Sequence, residues 1–270
     1  MARAIAFLDI LGFKNLLQTE DLSGLAERYE AAIAETEKLN AKKVSSSATF
    51  SFLPNHEPGQ PWCYRRIFSD SIFLIALDDS AESCLKLLFY TRVLFVWMLV
   101  KKLPVRGAVA AGDLYHSPDT GTTLGAALTE AYLLEKNQEW AGVCIGDSVW
   151  TAYPELFAQV KDPTGPLQYC FIPYDIPWKK KADGSPDGME SAHFAINWRF
   201  NTVVETGDMD LLTRARIDQV PSKFENTLRY LELVRASGAR FWGDGSDKPA
   251  EWGTVWLGPS KPPFKDGNTK

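Results

Sequence analysis

The chain has 270 residues, 45% hydrophobic, 23% charged and 12% aromatic, a composition that supports a globular fold with a substantial core. Its net charge of −5 and pI near 5.4 exclude a protein that grips nucleic acid over a broad basic surface. Cys63, Cys84, Cys144 and Cys170 are scattered without a Cys-x-x-Cys pair, and His56, His116 and His193 lie beside no nucleophile, which argues against a disulfide framework, a zinc site and a Ser-His-Asp or Cys-His mechanism.

The apolar run over residues 4–10 is too short for a helix and is closed by Gly12, so it reads as a strand. It carries Asp9 and lacks a basic n-region and a small-residue cleavage site, so no signal peptide is expected and the expected location is cytoplasmic. A helix follows from about Ser23 to Lys42, with Leu25, Tyr29, Ile33 and Thr36 on one face. Residues 45–60, with Pro54, Pro58 and Gly59, read as a loop.

Residues 62–77 form an extended aromatic stretch interrupted by Ser69, Asp70 and Ser71, which predicts two antiparallel strands meeting at a tight corner with Asp70 at its tip. A long apolar helix then runs to about Lys102, with Asp79 as its cap and Glu82 three residues on. Lys86 and Arg92 interrupt that helix, so it is expected in a core or a subunit interface rather than in a membrane. Residues 105–115 predict another strand, 124–140 a helix and 142–146 a short strand. From about residue 156 the chain becomes loop-rich around short strands, with a late helix over 222–235 whose Phe224, Leu228, Leu231 and Val234 share a face, and a Lys/Pro-rich tail from Gly258 is expected to be disordered. The expected organisation is a unit over 1–155, an extension over 156–257 and the tail 258–270.

Strand, helix, strand, strand, helix, strand is the βαββαβ order of ferredoxin-like α+β folds. In that plan the first and third strands are central neighbours, so Asp9 is carried alongside the corner that holds Asp70. Two carboxylates meeting at a sheet edge can hold a pair of hard divalent cations, with the Ile10 carbonyl as a further oxygen ligand. Gly12 lets the backbone amides of Ile10, Leu11, Gly12 and Phe13 approach a triphosphate.

Three segments, Phe7-Leu-Asp-Ile-Leu-Gly-Phe13, Phe68-Ser-Asp-Ser-Ile-Phe73 and Leu103-Pro-Val-Arg-Gly-Ala-Val-Ala-Ala-Gly-Asp-Leu-Tyr115, taken in this order, resemble the class III nucleotidyl cyclases over about residues 3 to 150. The resemblance implies that Asp9, Ile10 and Asp70 bind two Mg²⁺ or Mn²⁺ ions. It also implies a homodimer with active sites at its interface, in which the two aspartates of one subunit work with Arg66 and the 124–140 helix of the other.

The sequence departs from the purine cyclases of that class. Arg66 stands where adenylyl cyclases carry a base-reading Lys, and Thr122 where a base-reading Asp is common. Thr129 and Leu133 replace the family's transition-state Asn and Arg. In this combination the chain looks like the bacterial uridylate and cytidylate cyclases of the Pycsar antiphage system, which implies a pyrimidine ribonucleoside triphosphate as substrate, UTP before CTP, and a cyclic nucleotide messenger in antiviral defence. Arg66 would meet a pyrimidine carbonyl with its guanidinium, and Tyr64 shares its strand face and either stacks on the base or packs. A degenerate cyclase fold that binds without turnover and a purine cyclase with unusual base readers stay open at this point. Neither nucleic acid nor membrane is an expected partner.

Overall fold

A computed structural model of the chain describes residues 2–41, 56–162, 166–180, 191–198, 212–213 and 215–236. The centre of the fold is β1 (Ala2–Ile10), which is flanked by β3 (Ser71–Ile75) and β4 (Val105–His116), while β2 (Tyr64–Phe68) forms the edge beyond β3. All three pairings are antiparallel, giving the order β2-β3-β1-β4 expected of a ferredoxin-like core. Beyond β4 the sheet continues through β6 (Val143–Gly146), β8 (Ala192–Ile196) and β7 (Phe171–Pro173), so strands from residues past 155 belong to the same eight-stranded sheet. The eighth strand, β5 (Thr123–Gly125), pairs with the end of β4.

Helices cover β1 on both sides, which is why its sequence is a nearly continuous apolar run rather than an alternating one. Ala4, Ala6, Leu8 and Ile10 face the layer of α2 (Leu22–Glu37) and α3 (Ala81–Val100). Ile5 and Phe7 point the other way and pack, with Ile75 and Ala110, on Ala127 and Ala131 of α4 (Ala126–Asn137). Gly107 is where β4 crosses β1 most tightly: a Cβ there would lie 2.9 Å from the Phe7 carbonyl oxygen.

The expected helix near 23–42 is α2, with Leu25 and Thr36 buried and Tyr29 and Ile33 packed on the core, followed by a tight turn over Lys38–Ala41. A short helix α1 (Phe13–Thr19), which the sequence reading did not include, precedes it. Of the loop expected over 45–60, residues 45–55 lie outside the described residues, as does the whole 258–270 tail.

The cap of α3 is Ser80, not Asp79: the Ser80 hydroxyl accepts from the Ser83 N–H at 3.1 Å, and Asp78 accepts from the Ser80 N–H at 2.9 Å. Sixteen of the twenty residues of α3 are buried. It is long and apolar enough to cross a membrane by composition, yet 83% of its apolar window lies inside the fold. It is therefore a core helix, and the alternative of α3 as a subunit interface falls with its burial.

The helix expected over 124–140 is shorter because residues 123–125 are drawn into β5. Gly125 makes the corner at φ 149°, where a Cβ would meet the Asp113 carbonyl oxygen at 2.1 Å. Two short helices, α5 (Asp147–Ala152) and α6 (Pro154–Lys161), come next, and α7 (Pro221–Ala236) matches the expected late helix, with Leu231 and Val234 buried. All four cysteines are buried, and among the described residues none forms a disulfide.

Candidate functional site

Asp9 ends β1 in register with Ser71 of β3 on one side and Arg106 of β4 on the other. The β2–β3 corner folds back through Ser69 at φ 56°, an αL conformation that a short polar side chain tolerates. Asp70 follows directly, and its carbonyl accepts the Ile10 N–H at 3.1 Å. The chain thus joins the two acid-bearing segments through their backbones, as the strand order requires.

Asp9 is half-buried, and its carboxyl is pushed up to about 7. Burial is the main cause, followed by the negative charges of Glu135 and Asp70, while the Arg106 charge and a Ser71 hydroxyl hydrogen bond oppose the shift. A carboxylate strained in this way gains from a nearby cation, which would relieve the repulsion and displace the proton.

Beneath Asp9 lies a buried ion pair. The Arg106 Nε and Nη2 approach Glu135 Oε1 at 2.7 and 2.6 Å, and Nη1 donates to the Gln138 carbonyl at 2.6 Å. The Gln138 amide in turn donates to the Gly107 and Leu134 carbonyls at 3.0 and 2.9 Å, fixing the end of α4 to β4. Glu135 is a buried acid on the Ala127/Ala131 face of α4. That position in the helical period was the available signal. Tyr29 was read as packing alone, but its hydroxyl is buried with no hydrogen-bond partner among the described residues, and burial first, then the charges of Asp70 and Asp9, raise its pKa against the opposing charge of Arg65.

Among the described residues no group of three or more His, Cys, Asp or Glu could hold a metal ion. The oxygen donors here are two carboxylates and a backbone carbonyl, a set that suits Mg²⁺ or Mn²⁺ completed by water and substrate phosphate rather than an all-protein cage. The residues present fit such ions in that role.

The turn after β1 narrows the expected phosphate cradle. The Ile10 and Leu11 amides donate to the Asp70 and Pro104 carbonyls, at 3.1 and 2.8 Å, so they are already engaged. Gly12, at φ 73°, and Phe13 open α1, where amides have no partner within the helix.

Arg66 is exposed on β2 and lies on the same sheet face as Asp9, two strands and two residues away, about 12 Å by strand spacing and rise. Its Nη2 donates to the Pro118 carbonyl at 2.6 Å, and its guanidinium lies against Gly121. Arg66 and the loop carrying Thr122 are therefore neighbours. Tyr64 is partly buried, with His116 5.0 Å from its ring and Arg3 5.7 Å above it, so it has packing partners already. Thr129 is exposed on α4 and its hydroxyl returns to its own helix, 3.4 Å from the Gly125 carbonyl. Within one chain neither Arg66 nor Thr129 is brought to the Asp9–Asp70 corner.

No family model and no curated protein matches the chain. Among solved structures it is similar to the adenylyl cyclase CyaB from P. aeruginosa, at 13% identity and TM-score 0.44, covering 77% of this chain and 95% of that one. It is also similar to the guanylate cyclase domain of RhGC from Catenaria anguillulae in complex with GTP, at 10% identity and TM-score 0.44, covering 73% and 96%. A bacterial light-regulated adenylyl cyclase gives 13% identity and TM-score 0.43, covering 80% and 97%. Likenesses at these identities and TM-scores assign neither activity nor substrate to the chain.

Proposed function

We propose that this chain is a metal-dependent nucleotidyl cyclase that converts a pyrimidine ribonucleoside triphosphate, UTP before CTP, to its 3′,5′-cyclic monophosphate and pyrophosphate. The observation that carries this reading is the meeting of Asp9 and Asp70 across β1 and β3, joined by the Ile10 N–H to Asp70 carbonyl bond.

Asp9, Asp70 and the Ile10 carbonyl would hold two Mg²⁺ or Mn²⁺ ions. When bound, such ions lower the pKa of the ribose 3′-hydroxyl and neutralise charge on the triphosphate. The chain's own residues do the positioning. Asp9 would give up its proton to hold a cation, so binding is expected to weaken below about pH 7. The Gly12 and Phe13 amides at the start of α1 would face the phosphates, and the buried Arg106–Glu135 pair keeps β4 and α4 in place behind Asp9.

Arg66 and the Thr122 loop would read the base from the partner subunit, since neither lies at the Asp9–Asp70 corner of its own chain. A homodimer fits the α4 side of the sheet, where Phe68, Tyr132 and Leu133 are 79%, 44% and 36% exposed. The pyrimidine preference and a messenger role in antiviral defence rest on the sequence resemblance and on Arg66 and Thr122 in the base-reading positions.

A second reading, nucleotide binding without turnover, is favoured by Thr129 and Leu133 in place of transition-state Asn and Arg. Incubating the purified protein with each of the four ribonucleoside triphosphates and Mn²⁺, then resolving the products, separates the two. Cyclic UMP or cyclic CMP is expected; no cyclic product from any of the four would sink the enzyme reading, and a cyclic purine nucleotide would overturn the pyrimidine preference.

A further inference from the structure

A cavity of about 260 Å³ opens beside the turn that follows Asp9. One wall is Leu11, Gly12 and Asn15, with Pro104 at the start of β4; the opposite wall comes from residues 215–223, far along the chain. Two cations stand on that second wall. Arg216 sits at φ 59°, its N–H held by the Thr213 carbonyl at 2.9 Å, and Lys223 lies in the first turn of α7. Among the described residues each is ion-paired, Arg216 with Glu20 and Lys223 with Glu139, both at 3.3 Å, so a phosphate entering the cavity would compete with these carboxylates for the two cations.

The β1 turn is short of donors for a polyphosphate, because the Ile10 and Leu11 amides are engaged, and the α4 position where the resemblance would place an arginine is Leu133. The cavity touches Leu11 and Gly12 of the turn, and Gly12 carries one of the two amides that open α1. Its other lining, from Leu16, Ile217 and Val220, is apolar, so the polar contacts available to a phosphate there come from the turn and the two cations, as charge-assisted hydrogen bonds.

The geometry points to the segment 215–223 as the second wall of the phosphate site, with Arg216 and Lys223 taking the terminal phosphates of the triphosphate and then the pyrophosphate released from it. This rests on the triphosphate reading above. It gives the carboxy-terminal extension a role within the same chain: supplying the positive charge that Leu133 does not.

The test is calorimetric titration of the full chain with pyrophosphate in excess Mg²⁺. Wild type is expected to bind, and R216Q/K223Q to bind at least tenfold more weakly, with the thermal shift produced by Mn²⁺ alone unchanged. V220W, which fills the cavity without altering charge, is expected to lose pyrophosphate binding as well, and it carries the test by itself if the double variant does not fold. No binding to wild type, or unchanged affinity in a folded R216Q/K223Q or V220W, overturns the inference. Pyrophosphate binding that both variants lose, in a protein that forms no cyclic product, would leave the subsite standing while the cyclase reading fails.

Discussion

The helices α3 and α4 cover opposite faces of the same central strands, and they do so in different ways. Sixteen of twenty residues are buried in α3, including nearly every aromatic, whereas only Ala127, Ala131, Leu134 and Glu135 are buried among the twelve of α4. The α3 layer is a scaffold, apolar almost all round because α2, α6 and the sheet enclose it. The α4 layer approaches the sheet through alanines, leaves Tyr132 and Leu133 outward, and brings one buried acid to the end of β1. Polar chemistry is concentrated where packing is thinner.

Adjacent residues of β1 provide the sharpest way to break this contrast, since Leu8 faces α3 and Asp9 faces the α4 side. Asp9→Ala, like Asp70→Ala, is expected to abolish cyclic-nucleotide formation while the proposed dimer persists in size-exclusion chromatography. Substantial residual turnover would mean that the carboxylates do not hold the cations. Leu8→Ala is expected to cost about 2–5 kcal/mol in denaturant unfolding through the cavity it leaves, with kcat retained in the fraction that stays folded.

The next comparison lies on the outer surface of α4. Leu133→Glu places a charge on an exposed position, so monomer stability is expected to change by no more than about 0.5 kcal/mol. If this surface is the two-fold contact, sedimentation will show a monomer and turnover will fall with it. A Leu133→Glu protein that stays dimeric and active would move the interface elsewhere.

Base reading is expected to show a smaller effect. Arg66→Ala removes one charge-assisted contact, so kcat/KM for the preferred triphosphate is expected to fall about tenfold, with the Mn²⁺-induced thermal shift intact. Unchanged kcat/KM and unchanged preference among the four triphosphates would reduce Arg66 to a tether between β2 and the Pro118 loop.

The sequence made the scaffold side easier to read than the site side, for physical reasons. Apolar runs and turn residues mark β1, the Ser69–Ser71 corner, α3 and β4, and the strand order follows from them. The helix α1 was missed because Gly12 starts it without a side-chain cap, and β5 because three residues carry no period. The pairing of Glu135 with Arg106 was not legible because the two are 29 residues apart and only the fold brings them together. The engagement of the Ile10 and Leu11 amides depends on the Asp70 and Pro104 carbonyls in the same way, and no local pattern announces either bond. The meeting of Asp9 with Asp70 was legible because topology alone dictates it.

The last comparison concerns the electrostatic strain at Asp9. Its carboxyl sits near 7 in the folded, cation-free protein against 3.8 for the free side chain. Between those values the native state keeps a proton that the unfolded chain has lost. This contribution to stability is therefore full below about pH 4 and is lost as pH rises through 7. In EDTA, the Tm difference between Asp9→Asn and wild type is expected to grow in favour of the variant across that window, and to level off above it. Saturating Mn²⁺ should reverse the order at pH 8, since only wild type has the carboxylate to bind it. A difference that stays flat from pH 4 to pH 8 would show that Asp9 ionises as an ordinary surface acid, and the α4 side would then hold no strained carboxylate for a cation to relieve.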